Sequence, residues 1–201
     1  GPDDWAVIHS LDLAPVNRDI RTEIDFVALI PDSGIVCIEV KSHKEIDFIN
    51  DCWQPASIRR SPFKQAVDGR YAFYRRLCEL APMYRDIPVL HLCIFPNAPF
   101  DISPNLSVQA WELMDRRIFR SFANAGQFCA DIKSRILAGI QSDKHLSPLK
   151  QRMSTDRIET IVGLCVPFQR RHPDRRSEIE RREREAERVL RDQQRPVLRL
   201  A

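Results

Sequence analysis

The first hundred residues alternate short apolar runs with turn-forming residues, a pattern typical of β-strands. Three strand-like runs open the chain: Trp5–Leu13, Glu23–Ile30 and Ile35–Lys41. The segment Pro31-Asp32-Ser33-Gly34 between the second and third runs is a turn signal, so these two runs predict an antiparallel hairpin. A further stretch, Ile46–Trp53, is a candidate to continue the meander.

A helix and a buried strand follow. Pro62 precedes a predicted helix over Phe63–Leu80, since proline is tolerated near a helix start, where its missing N–H does no harm. The apolar residues of this helix fall on one face, at i, i+4, i+7 and i+11: Val67, Tyr71, Tyr74 and Cys78. Val89–Phe95 is a continuous apolar run bounded by prolines, which favours a buried central strand. This order predicts an α/β fold with a mixed sheet flanked by helices.

The second half of the chain has helical spacing of its apolar residues, over Ile118–Ala123, Phe128–Ile140 and Leu149–Leu164. Beyond two prolines, Arg176–Gln193 is almost wholly charged and predicts a solvated helical linker. We therefore predict three parts: an α/β core over residues 1–110, a helical region over 111–168 and a charged linker helix over 169–201.

Composition narrows the class of protein but not its chemistry. With 43% hydrophobic residues, the 201-residue chain can bury a core. Its six cysteines show no metal-ligand spacing, which argues against a zinc site or a disulfide framework and for a reducing cytoplasm. No apolar run approaches the ~20 residues of a membrane-spanning helix. Residues 169–195 hold ten arginines and seven acids, which accounts for the formal net charge of +3, so no overall basic surface indicates a nucleic-acid partner.

Three charged residues interrupt the apolar hairpin. Asp25 lies in EIDFVAL, and Glu39 and Lys41 lie in CIEVKS. Such residues cost several kcal/mol inside an apolar strand unless they are paired or bind a metal ion. A three-residue loop, Asp32–Gly34, with Gly34 at positive φ, would place all three on one face of the sheet. Asp25 would then lie opposite Lys41 and about 7–8 Å diagonally from Glu39.

Two carboxylates at this distance can share a hard cation, Mg²⁺ or Mn²⁺, with the backbone carbonyl of Val40 as a third ligand. Such a cation would polarise a phosphodiester and lower the pKa of a bound water, while Lys41 would orient that water or stabilise charge on the phosphate. The alternative is an ion pair between Asp25 and Lys41 on a half-exposed sheet, with Glu39 solvated.

The order EIDFVALIPDSGIVCIEVKSHKEI, then Trp53, then Pro62 and Gln65 at a helix start, resembles the nuclease-related domain (NERD) over about Trp5–Phe95. The resemblance implies a PD-(D/E)xK, restriction-endonuclease-like fold. It also implies metal-binding roles for Asp25 and Glu39, a catalytic Lys41, and Gln65 as a polar residue beside the site. The alternative for Gln65 is a solvated glutamine. A helical acid before the first strand, frequent in that superfamily, is not found.

The end of the chain, VLRDQQRPVLRLA, is similar to the segment before the phosphate-binding loop of superfamily 1 helicases, in which Gln194 would contact adenine. No GxxxxGK[ST] motif is present, so ATP would bind only through a helicase domain outside this sequence. The resemblance implies the nuclease portion of a nuclease–helicase that acts on DNA in phage defence or DNA processing. A frayed helical tail is the alternative.

Arg59, Arg60 and Lys64 cluster at the predicted helix start, where they could contact a nucleic-acid backbone. DNA is the expected partner, and RNA is an alternative. Two other functions compete with catalysis. The fold could serve as a silent platform that binds nucleic acid or a partner, or the helical region could make the chain a homo-oligomer.

Overall fold

Residues 4–13 and 22–168 are described by a computed structural model, and they form seven strands and four α-helices. The strands are β1 Ala6–Leu13, β2 Thr22–Ile30, β3 Gly34–Val40, β4 Asp47–Ile49, β5 Cys52–Gln54, β6 Val89–Phe95 and β7 Leu113–Asp115. The helices are α1 Pro62–Leu80, α2 Arg116–Phe119, α3 Ala125–Ser142 and α4 Thr155–Cys165. Short 3₁₀ turns occupy Pro82–Tyr84, Ala110–Glu112 and Val166–Phe168.

Five strands form one mixed sheet in the order β1-β2-β3-β6-β7. The first three are antiparallel neighbours, whereas β6 runs parallel to β3 and β7 runs parallel to β6. The prediction of an α/β fold with a mixed sheet is therefore confirmed. The described helices include none with the length and apolarity that crossing a bilayer requires.

Helices cover both faces of the sheet. Alternate residues of the central strands point to opposite faces, so both sets are buried. On one face, Cys37 of β3 packs in a core with Phe73 and Leu77 of α1. On the other face, Val36 packs in a second core with Ile132 of α3. Burial on both sides explains why β3 and β6 are almost continuously apolar.

Local signals set the start of α1. The Ser61 hydroxyl caps the helix by accepting a hydrogen bond from the amide N–H of Lys64 at 3.3 Å. Pro62 occupies the first helical position. The helix therefore begins one residue before the predicted Phe63 and ends at the predicted Leu80.

Three predictions about secondary structure are wrong. Ile46–Trp53 does not continue the meander, because Asn50 and Asp51, with φ of 50° and 59°, turn it into a separate hairpin of β4 and β5. The helix predicted over Ile118–Ala123 is the shorter α2, which Asp115 caps. The region after residue 110 is not purely helical, since β7 extends the main sheet. The predicted linker over 169–201 lies outside the described residues.

Gly34 begins β3 in a position that tolerates no side chain. Its φ is +128°, and an added Cβ would lie 2.6 Å from the carbonyl oxygen of Pro88. We expect Gly34→Ala to lower the free energy of unfolding by about 2–4 kcal/mol, through backbone strain and overpacking. Urea denaturation measures this change. The matched control is Gly163→Ala on α4, where a Cβ meets no atom within 4 Å and should stabilise the protein by up to about 1 kcal/mol. Equal effects of the two substitutions would contradict this account.

Candidate active site

Strands β2 and β3 part at the end of the hairpin that carries the charged residues. Their backbone pairing ends at Phe26 and Ile38, although β2 continues along β1 as far as Thr22. Beyond this point the amide N–H of Val40 donates to Oδ2 of Asp25 at 2.7 Å. The carboxylate of Asp25 thus takes the place of the β2 backbone as the hydrogen-bond partner of β3.

This hydrogen bond also indicates where the carbonyl of Val40 lies. In an antiparallel ladder, the N–H and C=O groups of one residue point to the same side of the strand. The carbonyl of Val40 therefore faces the gap that Asp25 borders, as the sequence-based proposal of a third oxygen ligand requires.

The register of the hairpin differs from the prediction. Gly34 pairs with Ile30, so the loop is Pro31–Ser33 rather than Asp32–Gly34. The loop still has three residues, but its shift by one residue moves each cross-strand partner by two. Extension of this register places Glu39, and not Lys41, across from Asp25.

Alternation along β2 is broken at Asp25. Ile24 and Val27, three residues apart, both pack in the core beneath α1, which a regular strand would not allow. On the adjacent strand, Ser10 has a φ of 54°. The irregularity shows that Asp25 occupies a bend in β2, where its half-buried carboxylate turns toward the end of β3.

Glu39 and Lys41 form an ion pair at the end of β3. The Lys41 ammonium donates to Oε1 of Glu39 at 2.6 Å. The whole Glu39 residue is 6% exposed, and the Lys41 side chain is 20% exposed. The alternative of an Asp25–Lys41 pair with a solvated Glu39 is therefore wrong, because Glu39 is buried and pairs with the lysine.

Both carboxyl groups resist ionisation. Burial raises the pKa of Glu39, the hydrogen bond from Lys41 opposes this shift, and the charge of Asp25 adds to it. Burial also raises the pKa of Asp25, against the hydrogen bond from Val40 and the charge of Lys41. A buried and a half-buried carboxyl group thus share a single nearby lysine, and a further cation would lower the cost of ionising both.

The donor atoms suit a hard divalent ion. Val40 engages one oxygen of Asp25 and Lys41 engages one oxygen of Glu39, so the second oxygen of each carboxylate can turn toward a cation. Within residues 4–13 and 22–168, no group of three or more His, Cys, Asp or Glu side chains could hold a metal ion. Two carboxylates and a backbone carbonyl are oxygen donors of the kind that Mg²⁺ or Mn²⁺, which retain water ligands, can use.

Neighbouring strands fix the end of β3. The amide N–H of Lys41 donates to the carbonyl of Ile94 at 3.0 Å, and the Asn97 side chain donates to the carbonyl of Ser42 at 3.0 Å. Sequence reasoning missed Asn97, although its position just after the carboxyl end of β6, beside the end of parallel β3, was a usable signal. His43, two residues after Lys41, contacts the Ser57 hydroxyl through Nε2 at 3.1 Å.

The other predicted site residues lie at the start of α1. Gln65 is half-buried, and its side chain forms no hydrogen bond with another described residue. Arg60, just before α1, pairs with Asp68 on that helix, so its charge is compensated. Arg59 and Lys64 are exposed. Gln194 lies outside the described residues.

Comparison with known proteins finds one family model that is similar to the part of the chain that carries the site. Residues 1–96 match the family model of the nuclease-related domain, NERD. No curated protein and no solved structure matches the chain. The matched segment covers β1 to β6 and includes Asp25, Glu39, Lys41 and Gln65. This part of the chain is similar to a nuclease-related domain, and the match indicates a nuclease-related function.

Proposed function

We propose that this chain is a metal-dependent nuclease that hydrolyses phosphodiester bonds in DNA, with RNA as the alternative substrate. The observation that carries the proposal is the parting of β2 and β3, which brings Asp25, Glu39 and Lys41 to one end of the hairpin. The match of residues 1–96 to the nuclease-related domain supports it.

Each group has a defined task. Asp25, Glu39 and the Val40 carbonyl would hold Mg²⁺ or Mn²⁺. When bound, the ion polarises the phosphodiester and lowers the pKa of a water. Lys41 places its ammonium beside Glu39, where it can stabilise the negative charge that grows on the phosphate oxygens. Arg59 and Lys64 can bind flanking phosphates. The mixed sheet with helices on both faces supports placement in the PD-(D/E)xK superfamily.

The wider context is part of the proposal and rests on resemblance. The NERD-like core and the helicase-like segment at Gln194 favour the nuclease portion of a nuclease–helicase, which would bind ATP through its helicase domain. Such a protein would act in phage defence or DNA processing. Deletion of the helicase portion would then leave the chemistry of the hairpin in place while removing ATP dependence.

Substitutions in the hairpin test catalysis directly. In Mg²⁺ or Mn²⁺, the protein should cleave labelled single- or double-stranded DNA, and EDTA should stop cleavage. We expect Glu39→Gln, Asp25→Asn and Lys41→Ala each to lower the rate at least ~100-fold, because each removes a metal-binding or charge-stabilising group. The rate of product formation under single-turnover conditions measures this loss.

Exposed residues provide matched controls. Glu45→Gln and Lys144→Ala remove the same charges at surface positions and should retain full activity. Cleavage that persists in Glu39→Gln would place catalysis elsewhere. If neither wild type nor any variant cleaves DNA, with or without ATP and in either metal, the result would favour the silent binding platform.

Stability without metal should depend on pH through Glu39. Its folded-state pKa is raised by burial, so its favourable contribution is present at low pH and is lost as the pH rises through that pKa. In EDTA at pH 7, Glu39→Gln should therefore have a higher Tm than wild type, and the difference should shrink toward pH 4. Differential scanning calorimetry measures both.

Metal addition gives the complementary result. Mg²⁺ binds only the folded state, so it should raise the Tm of wild type, and the increase should be lost in Glu39→Gln. Glu45→Gln should respond to Mg²⁺ as wild type does. A lower Tm for Glu39→Gln than for wild type in EDTA would show that the Lys41 ion pair outweighs the cost of burying Glu39.

A further inference from the structure

A second concave site lies at the amino-terminal end of β6, beside the opposite end of β3 from Glu39 and Lys41. It is a cavity of about 520 Å³ between the middle of α1, the segment that leads into β6 and the loop after α3. Cationic and aromatic side chains share its walls: Arg70, Tyr71, Tyr74, Arg85 and Lys150. We refer to it as the α1 pocket.

The charge in the α1 pocket is positive after its own ion pairs are considered. Of its two acids, Asp143 accepts a hydrogen bond from Arg70 at 3.1 Å, and Asp86 pairs with Arg157 at 3.5 Å. Within the described parts of the chain, Arg85 and Lys150 have no carboxylate partner. The pocket therefore presents two uncompensated cations to an incoming anion.

An aromatic surface lies next to these cations. The Tyr71 residue is 53% exposed, and the guanidinium of Arg70 lies 5.3 Å from the centroid of its ring. Tyr74 is 37% exposed, and its hydroxyl donates to the carbonyl of Arg85 at 2.9 Å. The first contact supports the Tyr71 ring, and the second ties the backbone of Arg85 to α1. The Nε of Arg85 donates to the carbonyl of Pro82 at 3.2 Å, so the exposed ring and the nearby cation are both held in place.

An aromatic ring beside unpaired cations is the combination that binds a nucleotide, with the base stacked on the ring and the phosphate near the cations. The position of Tyr71 on α1 favours a nucleotide that is part of a nucleic-acid strand over a free nucleotide. Lys64 and Tyr71 are seven residues apart, so they lie on the same side of the helix about 10 Å from one another. A nucleic-acid strand bound at the start of α1 can continue along this side of the helix into the α1 pocket.

We propose that the α1 pocket binds an unpaired nucleotide of a single-stranded nucleic acid, with its base on Tyr71 and its phosphate at Arg85 and Lys150. The identity of this strand as the nuclease substrate rests on the proposed function. Occupation of the pocket does not, because it depends on a different end of the sheet and on different residues.

Binding of a fluorescein-labelled dT12 oligonucleotide to the full chain in EDTA tests the proposal without any cleavage. Tyr71→Leu should bind about tenfold more weakly, in keeping with the loss of one stacking surface, whereas Tyr71→Phe should bind as wild type does. A plot of log K against log salt concentration has a negative slope. Arg85→Gln should make this slope less steep by about 0.7, the value for one phosphate contact on a single strand. Its matched control, Arg120→Gln, removes an exposed guanidinium at the carboxyl-terminal cap of α2 and should leave the slope unchanged.

Competition distinguishes a strand from a free nucleotide. Unlabelled dT12 should displace the probe, and dTMP at the same nucleotide concentration should not. Displacement by dTMP would overturn the assignment to a strand. Wild-type affinity in Tyr71→Leu, with an unchanged melting temperature, would overturn the pocket itself even if the protein cleaves DNA. If Tyr71→Leu binds more weakly but the wild-type protein cleaves no DNA, the binding site in the α1 pocket would be supported and the proposed catalysis would be contradicted.

Discussion

The hydrogen bond from the Val40 amide to the Asp25 carboxylate determines how the hairpin ends. A buried amide without a partner costs about 1–3 kcal/mol, so separation of the two strands requires a substitute acceptor. Asp25 supplies it, and the bend in β2 that carries Asp25 lets the strands diverge without leaving the Val40 N–H unpaired. The same contact fixes Asp25 near Glu39 and turns the Val40 carbonyl toward the gap.

The surrounding core resists relaxation of this arrangement. Cys93, which pairs with Glu39 in the parallel ladder, is fully buried, and burial raises the pKa of its thiol, so it adds no charge beside the acids. Helix α1 covers one face of β3 and α3 covers the other. Burial therefore raises the pKa of both Glu39 and Asp25. A cation between the two carboxyl groups, as proposed above, would offset the cost of ionising them.

Sequence patterns predicted the strands of the hairpin, the long helix and the central strand, because burial on both faces leaves continuous apolar runs. They also identified Asp25, Glu39 and Lys41 as residues that need a common explanation. The register was wrong because the loop position depends on Gly34 passing against the Pro88 carbonyl, a contact distant in sequence. The Lys41–Glu39 pair was missed because the predicted register placed Lys41 opposite Asp25, whereas the observed register places Glu39 there. Strand β7 is too short for periodicity to reveal.

Val40 has one role for its backbone and another for its side chain. Its amide and carbonyl border the gap at Asp25, whereas its side chain packs with the apolar residues on the α3 face of the sheet. Every non-proline residue supplies the same backbone groups, so the chemistry of the hairpin places almost no demand on the identity of this residue. Substitutions at position 40 can therefore change the packing on the α3 face without disturbing the carboxylates. The side chain at this position is free to vary, while its backbone geometry is constrained.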